Sequence, residues 1–330
     1  MKHTILQYFR HPDKCIIKYS CIAFNTRLVP LSIQICTPYR KTKSHRLLIS
    51  WWLILVVCCI NLDSVDACTL WGAAGAAASG GGTLICKNRD WTPNQRQVLE
   101  MITPESGYRY FALRVVHPKG NKTRAAINEK GLVVTSASVG SIPASQRRQL
   151  EGNHRLSERI METCASVDDV LQHADWFKGP TFLMVSDRQS LAIIEIGPGG
   201  VFSVRKTDHG VLFHTNHYLD PKMQPFNERI GESSAVRLQR IQTLLAQKKE
   251  GYTLEDFRSM SKDSVAGPDN SIWRTGSSPT KPRTLATWIV DEPIHGGIRL
   301  FVRIANPGEK EREYRMDFTS LFTKEENQNR

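Results

Sequence analysis

From residue 68 onward, short apolar runs alternate with small, turn-forming residues. Cys68–Ala74 and Thr83–Asp90 flank Ala76-Ala77-Ala78-Ser79-Gly80-Gly81-Gly82. Glycine supplies the positive φ that tight turns need, so the pattern predicts two strands joined by a glycine-rich bend, with Cys68 at a strand start. The glycines have neither the GxxxxGK[ST] nor the GxGxxG spacing of a phosphate-binding loop. Tyr110–Val116, Thr123–Asn128 and Leu132–Ser138 read as further strands, the last two joined through the hairpin signal Asn128-Glu129-Lys130-Gly131. Thr181–Ser186, Leu191–Ile196, Val201–Arg205 and Val211–His214 recur at about ten-residue spacing and predict an antiparallel meander.

The helical period appears in fewer places. Arg155–Cys164 and Val167–Trp176 read as helices, the second capped by Ser166. In Glu232–Lys249, Val236, Leu238, Ile241, Leu244 and Leu245 form an apolar stripe at helical spacing, and Leu254–Ser261 is a shorter helix. Ala266–Pro282 is rich in Gly, Pro, Ser and Asn and reads as a loop, followed by strands Leu285–Asp291 and Arg299–Ile304. The charged tail from Pro307 is expected to fray. Strands, then helices, then strands again indicate an α+β protein with sheets covered by helices.

The stretch before residue 68 has a different character. Arg40, Lys41, Lys43 and Arg46 precede Leu47–Ile60, fourteen residues without charge, then polar Asn61–Asp66 and small Ala67. This is the order of a secretory signal, and the apolar run is short of the roughly 20 residues of a membrane span. The expected organisation is a non-native or disordered extension at 1–39, with translation starting near residue 40. A secretory segment follows at 40–67, then one domain at 68–306 and a charged tail at 307–330. The net charge of +12 shrinks once the leader is set aside: its nine Lys/Arg and three Asp/Glu leave 35 against 29. With no basic block interleaved with aromatics, nucleic-acid binding is not expected. The chain is expected to be exported, periplasmic or secreted.

Five of the eight cysteines precede residue 68, leaving Cys68, Cys86 and Cys164. Three is an odd number and no CxxC occurs, so disulfides do not build this fold. Cys86 and Cys164 read as buried free thiols. A cut after Ala67 makes Cys68 an N-terminal cysteine. Its thiolate is a nucleophile, and an α-amine with a reference pKa of about 7.7–8.0 is a workable base. Acyl transfer also needs donors for the developing oxyanion. Lys87, Asn88, Arg89, Asp90, Asn216 and Arg237 are polar groups suited to such roles, although each also has an ordinary structural reading: a turn cap for Asp90, a strand end for Asn216, a solvated charge for Arg237.

Four blocks now carry a resemblance: Cys68 to Lys87-Asn88-Arg89-Asp90-Trp91, Asn128-Glu129-Lys130-Gly131-Leu132, Thr215-Asn216-His217-Tyr218, and Ser233-Ser234-Ala235-Val236-Arg237. In this order they resemble the N-terminal-nucleophile hydrolases of the linear-amide class, which include choloylglycine hydrolases and acyl-coenzyme A:6-aminopenicillanate acyltransferases. The resemblance implies a four-layer αββα sandwich of two antiparallel sheets between helices. It implies Cys68 as nucleophile and, through its amine, as base, Asp90 positioning and polarising it, Asn216 in the oxyanion hole, and Arg237 steadying the surroundings. Two positions depart from the family pattern. Lys87 stands where an arginine is usual, keeping the charge but losing the planar fork, and Ser138 stands where bile salt hydrolases place a second oxyanion asparagine. Lys87, Ser138 and His217 are thus candidate substrate or oxyanion groups.

His209, His214 and His217 fit no zinc spacing, and no metal or cofactor is expected. The sequence reads as an exported cysteine amidohydrolase or acyltransferase working through a Cys68 thioester. Its expected partners are a small-molecule amide, signal peptidase for maturation and further copies of the chain as a homo-oligomer, with no stable membrane span after cleavage. The alternatives are a lipid-anchored, non-enzymatic surface protein modified at Cys68 and an N-terminal-cysteine dipeptidase.

Overall fold

The computed structural model describes residues 4–10, 16–24, 27–34 and 67–323, apart from 151, 154, 249 and 250. Residues 40–66, and with them nearly all of the expected secretory segment, lie outside the described residues. The chain divides into two units, 1–62 and 63–330. In the first, the stretch read from sequence as an extension, β1 (Thr4–Arg10), β2 (Ile16–Phe24) and β3 (Arg27–Gln34) pair antiparallel in that order.

In the second unit β4 (Ala67–Ala74) and β5 (Thr83–Trp91) are the two strands of the glycine-rich bend. Gly75 turns the chain there at φ +59, and a Cβ on Gly82 would lie 2.0 Å from the carbonyl oxygen of Glu292. Glycine is therefore required at both positions. β6 (Gln97–Ile102), β7 (Tyr110–Val115), β8 (Lys122–Asn128) and β9 (Val133–Ala137) follow. Next come a helical turn α1 (Ala144–Arg147), α2 (Leu156–Thr163) and α3 (Val167–Gln172). Then come β10 (Thr181–Ser186), β11 (Leu191–Ile196), β12 (Phe202–Thr207) and β13 (Gly210–His214). The helices α4 (Glu232–Ala246), α5 (Leu254–Met260) and the turn α6 (Gly267–Asn270) precede β14 (Arg283–Glu292), β15 (Arg299–Ile304), β16 (Arg312–Asp317) and α7 (Phe318–Thr323).

Two antiparallel sheets result, in the orders β12-β11-β10-β9-β8-β7-β6 and β13-β4-β5-β14-β15-β16. Their alternating side chains build three apolar layers. Between the sheets lie Leu70, Ile85, Ile127, Met184, Trp288 and their neighbours. Leu156, Ile160 and Val170 of α2 and α3 cover the seven-stranded sheet. Ile241, Leu244 and Leu245 of α4, with Phe257 of α5, cover the six-stranded sheet against Trp71 and Cys86. Each such aliphatic side chain contributes about 1.5–3 kcal/mol on burial. This is the α+β, four-layer αββα sandwich expected from the resemblance. Ser166 caps α3 as predicted, accepting from Asp169 N at 3.1 Å. α5 carries a capping box between Thr253 and Asp256.

Several expectations change. The α3 helix stops at Gln172, and a separate 3-10 turn covers Ala174–Trp176. The α4 helix ends at Ala246, and the loop at 266–282 contains a helical turn. The tail expected to fray supplies β16, the edge strand of the six-stranded sheet, and α7. The meander has three strands rather than four. β10, β11 and β12 continue one sheet, but β13 leaves it and pairs with β4. Cys86 and Cys164 are both free and buried in different layers. No helix among the described residues is long and apolar enough to cross a membrane.

Candidate active site

The departure of β13 from the meander builds the site. His214 lies opposite Leu70 of β4, so the antiparallel register carries the chain after His214 toward Cys68. Asn216 Oδ1 accepts from the Cys68 backbone N–H at 2.8 Å and from Arg237 Nη2 at 2.9 Å. Two donors on one oxygen fix which way the amide faces. Its Nδ2 therefore points the other way and donates to the carbonyl of Ser138 at 2.8 Å. One N–H of that amide nitrogen is left for a substrate oxygen.

Arg237 is fully buried on α4. Its Nη1 donates to the Cys68 carbonyl at 2.7 Å and to Thr69 Oγ1 at 2.8 Å, and its Nε to Ser233 Oγ at 3.3 Å. Burial lowers its pKa to about 10, against the raising influence of Asp90, so it stays charged at neutral pH. A guanidinium is removed from water only where its fork is matched by acceptors, and here the backbone of Cys68 is one of them.

Cys68 is 5% exposed and belongs to the layer between the sheets. Side chains alternate along β5, so Ile85, Lys87 and Arg89 share that inward face, while Cys86, Asn88 and Asp90 face the helices. Lys87 is 1% exposed, and its Nζ donates to the Arg124 carbonyl on β8 at 2.8 Å and to the Ser136 carbonyl on β9. Arg89, directly opposite Cys68, donates to Gln97 Oε1 at 2.7 Å. Asn88 is a structural pin. It donates to the carbonyls of Ser261 and Ile272 and accepts from Thr287 Oγ1, each at 2.8 Å.

Asp90 lies across the ladder from Ala67. Its Oδ1 accepts from Thr284 Oγ1 at 2.8 Å, while Oδ2 has no hydrogen-bond partner and lies 3.8 Å from Arg274 Nη1. Burial raises its pKa, opposed by Arg274 and Arg237. Asp90 is thus beside Ala67, with an oxygen to spare.

The remaining sequence candidates act through others. His217 Nδ1 meets Ser234 Oγ at 2.8 Å, and that hydroxyl accepts from Asn216 N at 3.0 Å. Burial, helped by His214 and Arg237, holds His217 near a pKa of about 4, so the ring is neutral and orients Ser234. Ser138 enters through its carbonyl, which accepts from Asn216 Nδ2. His214 pairs with Glu195 at 3.0 Å, and the Glu195 carboxylate accepts from Leu219 and Asp220 N–H groups, anchoring the turn that carries Asn216. Sequence reading missed Glu195, Ser234 and Arg274. For Glu195 the signal was present: one charge inside the apolar run Leu191–Ile196. Asn128, part of the second motif, donates to the carbonyls of Met161 and Cys164 and is structural. A cavity of about 870 Å3 lined by Tyr110, Arg114, Arg155 and Glu158 does not include Cys68.

Residues 77–302 match the family model of acyl-coenzyme A:6-aminopenicillanic acid acyl-transferase. That stretch begins after Cys68, so the role of Cys68 rests on its geometry. No curated protein matches the chain. Among solved structures, a variant of conjugated bile acid hydrolase from Clostridium perfringens has a TM-score of 0.51 at 14% identity, over 76% of this chain and 93% of that one. A second variant of the same protein has a TM-score of 0.48 at 13% identity, over 76% and 93%. The Caenorhabditis elegans ortholog of N-acylethanolamine-hydrolyzing acid amidase reaches 0.47 at 10%, over 68% and 93%. At these identities the likeness concerns the fold.

Proposed function

The chain belongs to the acyl-coenzyme A:6-aminopenicillanic acid acyl-transferase family and is an enzyme acting on amides, and from that premise we propose an exported cysteine amidohydrolase or acyltransferase that forms a thioester on Cys68. Signal peptidase removes the leader after Ala67. The freed α-amine of Cys68 is the base, and it keeps Asn216 Oδ1 as its acceptor. Sγ attacks the carbonyl carbon of a linear N-acyl amide, the second N–H of Asn216 Nδ2 receives the oxyanion, and the C–N bond breaks. The departing amine takes a proton through the Cys68 amine. Water or a second amine then attacks the thioester, and that choice alone separates hydrolase from acyltransferase.

The observation that carries this reading is the convergence on Cys68. Arg237 from α4 and Asn216 from the turn after β13 both bond the backbone of one cysteine. Nothing in the packing of a strand end calls for a buried guanidinium there. Lipid modification would require Sγ to leave the layer between the sheets, so the buried thiol favours catalysis over anchoring. The test has two parts. N-terminal mass analysis of the exported protein is expected to show free, unmodified Cys68. Turnover is then followed on N-acyl amino acids, bile salt conjugates, penicillin V and dipeptides. Cys68→Ala, processed at the same position, is expected to fold and lose turnover by more than about a thousandfold. A diacylglyceryl mass on Cys68, or full activity in the variant, would refute the proposal.

A further inference from the structure

Cys68 lies opposite Arg89, and Leu70 lies opposite Lys87. Residues two apart share a face, so Cys68 and Lys87 occupy the same inward face as diagonal cross-strand neighbours, a relation that long side chains bridge. The Lys87 ammonium has three donors, but its hydrogen-bond partners are two carbonyls, those of Arg124 and Ser136 on the facing sheet. A neutral amine has two N–H bonds and a lone pair. The two carbonyls satisfy both N–H bonds of that neutral form. The remaining tetrahedral position is a lone pair in one state and an N–H in the other, which suits an S–H or S⁻ from the diagonal neighbour respectively.

We propose that Lys87 is the proton acceptor of the Cys68 thiol, holding the nucleophile as a thiolate beside an ammonium. The Sγ–H bond breaks, an Nζ–H bond forms, and the electron pair stays on sulfur. The charge of the pair is unchanged and no further reactant is needed. The proposal rests on Cys68 being the nucleophile and divides its labour: the α-amine, relieved of the thiol proton, serves the leaving nitrogen and then the incoming nucleophile.

The surroundings support this exchange. Desolvation pulls Lys87 down to about 7; Cys68 on β4 opposes it, Arg89 on its own strand and Arg124 on β8 reinforce it, and Asp90 opposes it. β9 offers only the Ser136 carbonyl, and β14 places Trp288 across the ladder. An amine poised near neutrality both takes and returns a proton. The arginine usual at this position holds its proton throughout.

The test reads both partners without turnover. The processed protein, labelled with [ε-13C]lysine, is titrated by NMR, with Lys87→Arg locating the signal, and the titration is repeated on Cys68→Ala. Separately, iodoacetamide alkylation of Cys68 is followed against pH by peptide mass in wild type, Lys87→Arg and Lys87→Met. Lys87 is expected to titrate between about pH 6 and about pH 8, and lower in Cys68→Ala, where the thiolate no longer holds the proton on. Alkylation at neutral pH is expected to slow ~10-fold in Lys87→Met, and its pH profile to move by about one unit or more in Lys87→Arg. A titration unmoved in Cys68→Ala, or an unchanged alkylation profile in folded Lys87→Arg, would overturn the proposal. If the arginine variant does not fold, Lys87→Met locates the signal and the lysine titration of the native protein still decides. Turnover retained in Cys68→Ala would instead refute the nucleophile, so the two failures are distinguishable.

Discussion

Two buried ionisable groups face the space between the sheets from different levels of the six-stranded sheet, Lys87 at mid-strand and Glu292 at a strand end. Lys87 lies near Cys68, whereas Glu292 lies opposite Thr83 at the far end of the ladder, roughly 14 Å along the strand at about 3.4 Å per residue. Desolvation is the largest influence on both, and it favours the neutral form of each. Their partners differ. Lys87 meets two carbonyls, while neither carboxyl oxygen of Glu292 has a hydrogen-bond partner. The nearby charges at Glu292 are Asp187, Arg188 and Asp291, with desolvation and the two carboxylates raising its pKa and the guanidinium lowering it. Burial alone makes a group neutral and leaves it a cost. Burial with acceptors arranged for both protonation states makes a group that can exchange a proton. The first describes Glu292 and the second Lys87.

That contrast can be broken from the larger effect downward. At the Cys68 end, Asn216→Ala removes the proposed oxyanion donor together with the acceptor shared by Cys68 and Arg237. A fall in kcat of ~10²–10³ is expected, read by steady-state kinetics; an unchanged kcat would detach Asn216 from the reaction. Arg237→Lys keeps the charge, but one ammonium cannot span the Cys68 carbonyl, Thr69 Oγ1 and Asn216 Oδ1. Denaturant unfolding is expected to show a loss of about 2–3 kcal/mol, with activity reduced. Wild-type stability in this variant would mean that the fork is dispensable.

The smallest effect lies at the far end. The folded pKa of Glu292 is raised above its ordinary value. Stability from its neutral form is therefore complete below the unfolded pKa and is lost as pH rises toward the folded one. Glu292→Gln should remove that slope, so the variant gains on wild type as pH rises, by on the order of 1 kcal/mol. Melting temperatures at acidic and mildly alkaline pH would show it, and parallel curves would contradict it. Lys87 runs the other way. Its folded pKa is depressed from 10.5 to about 7, so stability falls as pH drops from the ordinary lysine value toward 7 and is flat below.

Local features of the fold were legible where the pattern was local. The glycine bend, the Asn128–Gly131 hairpin and the stripe of α4 follow from turn chemistry and periodicity. β6 and β16 were not legible. Gln97–Ile102 and Arg312–Asp317 are edge strands, mostly half-exposed or exposed, and edges tolerate charges that hide an alternating pattern. Arg312–Asp317 consequently read as tail. Cys68, Asn216 and Arg237 were recognisable as types in order, but their meeting depends on β13 crossing to β4, a long-range pairing absent from local sequence. The partners of Lys87 are main-chain carbonyls, which no residue identity encodes. Ser138 shows the same limit, since its bond to Asn216 is made by a main-chain carbonyl.

The central claim is that Cys68 carries the acyl group. Acid-quenched single turnover with a reactive N-acyl amide, followed by peptide mass analysis, reads this directly. The account predicts the acyl mass on a peptide whose first residue is Cys68, appearing before free acid or transfer product and absent in Cys68→Ala. Product formed with no adduct on Cys68, or turnover surviving in the variant, would contradict it.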